Sequence, residues 1–133
     1  MEVFINLKVY INIEVAKMTN KVNAGDVFYT SWGYDQTNYD YVVVDKVSPS
    51  GKTAVCRRAV FKTIGQNGHC NVQVPTGTGY GQSFRMKVVD RYDGSVGLRG
   101  SYIFCGDDSK RFDSFSKHTA GSSYNETDSM FGH

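Results

Sequence analysis

Eight consecutive residues concentrate most of the chemistry in this 133-residue chain: Ser31, Trp32, Gly33, Tyr34, Asp35, Gln36, Thr37 and Asn38. Two aromatics, a carboxylate, two amides and two hydroxyls stand between apolar runs at residues 26–29 and 39–44. A plain hairpin turn needs only two to five residues, usually Gly with Asn or Asp. This connection is longer and richer, so it reads as a binding loop presented by a β scaffold. The plainer alternative is a loop whose Trp32 caps a core while its polar groups satisfy their own backbone. Stacking aromatics suit a nucleobase, amides suit base edges or ribose hydroxyls, and arginine forks suit phosphate. The expected ligand-binding set is therefore Trp32, Tyr34, Asp35, Gln36, Thr37 and Asn38 with Arg57, Arg58, Arg85, Lys87 and Arg99.

Other chemistry is weakly represented. Gly77-Thr78-Gly79-Tyr80-Gly81 resembles a phosphate-binding glycine loop, but a strand pattern follows it where a helix is required. It reads as a Gly-rich loop spanning residues 75–81. His69, Cys70, Cys105, His118 and His133 are not at metal-ligand spacing, and no metal or other cofactor is expected. No His precedes residue 69, and the only glutamates are Glu2, Glu14 and Glu126. Asp35 and Asp40 remain as acid–base candidates, which makes an Asp-based hydrolase or transferase the enzymatic alternative to a non-enzymatic binder.

Charge is unevenly placed. Residues 1–50 carry a net −2, residues 51–105 a net +6 and residues 106–133 a net −2, against +2 for the whole chain. The basic middle points to an anionic partner rather than to coating of a duplex. Three widely spaced cysteines, Cys56, Cys70 and Cys105, read as free thiols in a reducing compartment. No apolar run is long enough to span a membrane as a helix, and no signal-peptide pattern is present, so a cytoplasmic location is expected.

The elements that must position these groups read as strands. Residues 3–15 alternate apolar and polar with period two. A second reading makes Met18 the start, because Glu14 to Lys17 can be encoded by a ribosome-binding sequence; residues 1–17 are then a non-native extension. Strands are expected at 26–32, 39–47, 53–64, 69–74, 84–91 and 95–105, with turns at Ser48–Gly51 and Asp93-Gly94 and a loop at 65–68. In the second strand Asp40, Val42, Val44 and Lys46 should share one face. Residues 18–105 form the β domain. Residues 106–133 lose the alternation and read as a loosely ordered arm with a short helix near 107–116. The expected fold is all-β, a small barrel-like or strongly curled antiparallel sheet with an irregular C-terminal arm.

Gly25-Asp26-Val27-Phe28-Tyr29, then Ser31 to Asn38, then Tyr41 and Val43-Val44 resemble the shared opening of a family of small uncharacterised proteins of bacteriophages and other mobile elements. A looser likeness lies between Thr127 and His133. The resemblance implies a phage-encoded accessory protein that interferes with host biology, and it implies no particular activity. Together these readings give an expected function. It is a non-enzymatic binding protein, a homodimer or higher homo-oligomer in the host cytoplasm, that sequesters a small anionic, nucleotide-like host molecule. The alternative is a module that binds nucleic acid or a host defence protein.

Overall fold

The computed structural model describes residues 22–33, 36–105 and 109–127. The strand expected at 3–15 and the choice of start both lie outside the described residues. Seven strands carry the fold: β1 (Val27–Trp32), β2 (Asn38–Val47), β3 (Thr53–Asn67), β4 (Cys70–Asp90), β5 (Val96–Cys105), β6 (Ser109–Lys117) and β7 (Tyr124–Thr127). They run in the order β3-β2-β1-β6-β5-β4-β7, and β3 also pairs with β4. That last pairing closes six antiparallel strands into a barrel, with β7 added outside on β4. The all-β, barrel-like class is as the sequence implied.

Alternation explains the interior. Phe28, Val42, Val44, Ala54, Cys56, Met86, Leu98, Tyr102 and Phe115 are fully buried and form one cluster inside the barrel. Each comes from a strand whose next residue points the other way, as period-two geometry requires. The outward residues of β1 and β2 are not bare. Tyr29, Tyr39, Tyr41 and Val43 pack with Ala59 and Tyr124 into a second, smaller cluster. Tyr29 and Tyr124 have ring centroids 4.4 Å apart. β7 therefore seals the outer face of β1 and β2. Buried polar links fasten it: the Tyr41 hydroxyl donates to Gln73 Oε1 at 2.8 Å, Gln73 Nε2 donates to Glu126 Oε2, and Glu126 Oε1 accepts the Tyr39 N–H at 3.0 Å. Burial raises the Tyr41 and Tyr124 phenols, so both stay protonated, and Tyr41 stays a donor.

Four expectations are corrected. Among the described residues no helix lies near 109–116: Ser109–Lys117 is β6, paired with β1 on one side and with β5 from Gly97↔Ser116 to Cys105↔Ser109 on the other, in place of the expected helix near 107–116. The segment read as an irregular arm thus supplies a barrel stave and the sealing strand β7. The Gly-rich stretch is not a loop either. It lies within β4, where Ala59↔Gly79 and Phe61↔Pro75 are partners and the register shifts between them. Glycines suit such bulges, which bend a strand sharply. The loop expected at 65–68 is likewise mostly strand, with Asn67↔Cys70 closing a tight turn. Finally, a register shift between Val44 and Lys46 turns Lys46 outward, away from the face of Asp40 and Val44.

Gly79 tests the bulged path. A Cβ there would lie 2.9 Å from Val43 Cγ1 and 3.0 Å from Arg57 Cζ, whereas one at Gly77 would meet nothing within 4 Å. Gly79→Val should lower stability by about 1–3 kcal/mol through overpacking, with Gly77→Ala near neutral, as read from urea unfolding midpoints. Equal effects of the two changes would contradict this path for β4.

His118 sits beside β7, its Nδ1 2.7 Å from the Tyr124 hydroxyl. Burial lowers its pKa below the ordinary 6.5. The unfolded chain therefore protonates first as pH falls, and stability drops from pH 6.5 downward. His118→Gln should flatten that part of the stability–pH profile, measured by thermal unfolding at a series of pH values.

Candidate functional site

The described residues from the sequence-predicted set fall into three groups, not one pocket. The first group lies at one end of the barrel. Trp32 ends β1 and Asn38 begins β2, as cross-strand partners. Gly33 makes the connection possible: its φ is +127°, and a Cβ would sit 2.0 Å from the Gln36 carbonyl oxygen. Gln36 Nε2 donates to Asn38 Oδ1 at 3.2 Å, and Thr37 exchanges bonds with Thr127, donating its N–H to Oγ1 at 2.9 Å and accepting the Thr127 N–H at 2.8 Å. The side-chain amides tie Gln36 to Asn38, and the Thr37 main chain ties this segment to β7. Tyr34 and Asp35 lie outside the described residues.

Trp32 packs inward, and Arg111 of β6 lies over its ring with the guanidinium carbon 4.5 Å from the centroid. Arg111 is also 3.7 Å from Asp113 and is the register partner of Tyr102 on β5. Sequence reasoning missed Arg111 because it fell in the supposed arm. Its only sequence signal was the Arg-x-Asp spacing, which places two opposite charges on one strand face.

Next to this lies a buried ion pair. Arg58 Nη2 donates to Asp40 Oδ1 at 2.8 Å, the Tyr102 hydroxyl donates to Asp40 Oδ2 at 2.6 Å, and Arg58 Nη1 donates to the Ile103 carbonyl at 3.1 Å. The side chains of Arg58 and Asp40 are 14% and 9% exposed. Burial and the adjacent Asp40 both raise the Tyr102 phenol, so it remains a donor. Arg58 is therefore committed inside the barrel. Arg57, one residue away, points outward and pairs with Asp45 at 2.7 Å. That partner holds the Arg57 guanidinium above its usual range.

The third group is Arg85, Lys87 and Arg99. These lie on the outer surface around the seam of β4 and β5. Pairing across that seam runs only from Asp90↔Val96 to Lys87↔Arg99. Beyond it the strands part, and a cleft of about 300 Å³ opens, lined by Gln82, Ser83, Phe84, Arg85, Ser101, Tyr102, Ile103 and Lys110. One wall thus includes Tyr102, whose hydroxyl is anchored on Asp40. A second cleft of about 370 Å³ lies towards β2 and β3, lined by Lys46, Val47, Ser48, Pro49, Thr53, Val55 and Arg85. Arg85 belongs to both. Register places Thr53, Lys87 and Arg99 in one row across three strands, and Arg85 beside Val55. Arg99 stacks on Phe112, which is 60% exposed. Among the described residues, Lys46, Arg85, Lys87, Arg99 and Lys110 form no ion pair. Unpaired cations beside shaped clefts can bind phosphate or carboxylate at little desolvation cost.

Among the described residues no group of three or more His, Cys, Asp or Glu side chains is placed to hold a metal ion. The Cys56 thiol is buried and pushed up to about 12, mainly by that burial, so it is inert as a nucleophile at neutral pH. No family model, no curated protein and no solved structure matches the chain.

Removing one partner of the buried pair should be severe. Asp40→Ala leaves the Arg58 charge inside the barrel and should cost about 3–5 kcal/mol, whereas the double change Asp40→Leu with Arg58→Met should recover much of that loss. Urea unfolding of the three proteins checks it; an unaffected single variant would show that the pair is not needed.

Proposed function

We propose that the protein is a non-enzymatic binder of a small anionic, nucleotide-like molecule, captured at the clefts flanking Arg85. The observation that carries this reading is the unpaired arginine common to two clefts, with Lys46 on one side and Lys110 on the other. A guanidinium fork matches two phosphate oxygens at once. Hydroxyls and an amide at Ser83, Ser101 and Gln82 can meet ribose or base edges, and Val47, Pro49 and Val55 offer apolar surface for a base. Sequestration needs affinity without turnover. The likeness of residues 25–44 to phage and mobile-element proteins supports placing that capture in an infected cell's cytoplasm, against a host defence signal. The homo-oligomer suggested by the sequence belongs to the same proposal.

A second reading has its own observation. The cations continue past the clefts as the Lys87–Arg99 row, beside exposed Phe112. A basic row with an exposed aromatic suits single-stranded nucleic acid. Salt separates the two: several phosphate contacts make affinity fall steeply with ionic strength, and a single small ligand changes less.

The test is thermal unfolding against mononucleotides, cyclic and linear dinucleotides, ADP-ribose derivatives and short oligonucleotides. At a hundred times its dissociation constant a ligand adds about 2.7 kcal/mol, a shift of several degrees for a chain of this size. Arg85→Ala should abolish the shift, and Lys62→Ala, on the projecting end of β3, should keep it. A flat panel would overturn the small-ligand reading and turn attention to a protein partner.

A further inference from the structure

Arg85 does not sit at the bottom of one cleft; it forms a wall common to two. Their volumes, about 370 and 300 Å³, are similar, and each lies at the lower end of the range for small-molecule sites. Their linings differ in kind but repeat one plan. Each has a cation on the side away from Arg85, Lys46 in one and Lys110 in the other. Each combines apolar wall with hydroxyls: Val47, Pro49 and Val55 with Thr53 in the first, Phe84 and Ile103 with Ser83 and Ser101 in the second. The two are joined around the outside of the barrel, since Val55 and Arg85 are partners across β3 and β4 and the open seam follows immediately.

Resting on the proposed nucleotide-like ligand, we infer that the site takes a two-lobed one: two nucleosides joined through phosphate, one lobe in each cleft, with the linking phosphate on Arg85. A mononucleotide fills one cleft and leaves the other to water. A phosphate between two lobes has two free oxygens, which the guanidinium fork meets together. Lys46 and Lys110 then add long-range attraction from either end without competing for the same oxygens. The parting of β4 from β5 after Lys87↔Arg99 is what makes room for the second lobe. The register shift at Asp45 is what brings Lys46 to the first. The same chemistry is offered by a free dinucleotide, linear or cyclic, and by one step of a longer single strand.

Calorimetric titration of the full chain distinguishes these. The probes are a nucleoside 5′-monophosphate, a linear dinucleotide, a cyclic dinucleotide, and single strands of four and twelve nucleotides. A dinucleotide should bind about a hundredfold tighter than the monophosphate, since a second cleft and its contacts are engaged. Lys46→Ala and Lys110→Ala line different clefts, so each should weaken the dinucleotide by about tenfold, and the monophosphate should respond to only one. Both lysines are exposed, and unchanged unfolding midpoints would show that the variants fold. Affinity that stops rising at two nucleotides identifies a free dinucleotide; affinity that climbs with length and falls steeply with salt identifies a strand. Either supports the two-lobed site; the second overturns the small-ligand reading in favour of the single-strand one. A monophosphate binding as well as the dinucleotide, or only one lysine mattering, overturns the two-lobed site and leaves the proposed function standing. No binding of any probe overturns both.

Discussion

A carboxylate inside a small barrel has to be satisfied, and the Asp40 carboxylate is satisfied by groups from two other strands. Arg58 reaches it from β3 and Tyr102 from β5, while Arg58 also holds the Ile103 carbonyl. Three staves that are not all neighbours are thereby tied at one end. Charges removed from water cost several kcal/mol each unless geometry and hydrogen bonds compensate. The arrangement is consequently intolerant of slippage: a one-residue shift in β2 or β3 would send Asp40 or Arg58 to the opposite face and strand its partner. The apolar cluster supplies most of the stabilisation, as burial does in any domain. The ion pair fixes which register that cluster adopts.

The seam and the clefts depend on that anchor. Tyr102 is fully buried, packs edge-on against Phe115 with centroids 4.9 Å apart, and lies beneath the opening between β4 and β5. Pairing with β6 along its length and the Tyr102 hydroxyl committed to Asp40 together hold β5 in the wall, although its hydrogen bonds to β4 stop at Lys87↔Arg99. A seam without such support would close by further pairing or fray. Arg111 and Trp32 finish the same end, giving the barrel a cation–π lid. The tryptophan that looks most available in the sequence thus contributes its ring to the fold.

Legibility followed the period-two signal. The β2–β3 hairpin was readable because Tyr39 to Val47 alternates and Ser48–Gly51 is a well-formed turn, with the Gly51 N–H donating to the Ser48 carbonyl. β4 and β5 around Asp93-Gly94 were readable for the same reason. β6 was not, because its inward positions are Arg111, Asp113 and Phe115, and its outward ones are Lys110, Phe112, Ser114 and Ser116. One phenylalanine per face cancels any hydrophobic alternation, and only tertiary partners make Arg111 tolerable inside. The Gly77–Gly81 stretch hid β4 because bulges and loops demand the same residue type. For the site, residue chemistry selected Arg85, Lys87 and Arg99, but nothing local could say that Arg58 would be consumed by Asp40.

Arg57 and Arg58 show why the free cations are where they are. Adjacent on β3, they point to opposite faces, and β2 offers a carboxylate on each: Asp45 at the outward bulge and Asp40 inside. Strand pairing therefore neutralises both arginines of β3 with the acids of β2. Among the described residues, β4 and β5 have no such acid facing Arg85, Lys87 or Arg99. Their acids near the seam are Asp90, which partners Val96, and Asp93 in the turn, whose carboxylate is held below its usual range by Ser95. Arg85, Lys87 and Arg99 are left facing solvent together, and closure of β3 on β4 brings Lys46 round to them. The unspent positive charge of this surface is thus a consequence of topology. The same residues in a different strand order would have neutralised one another, and no cleft with unspent charge would remain.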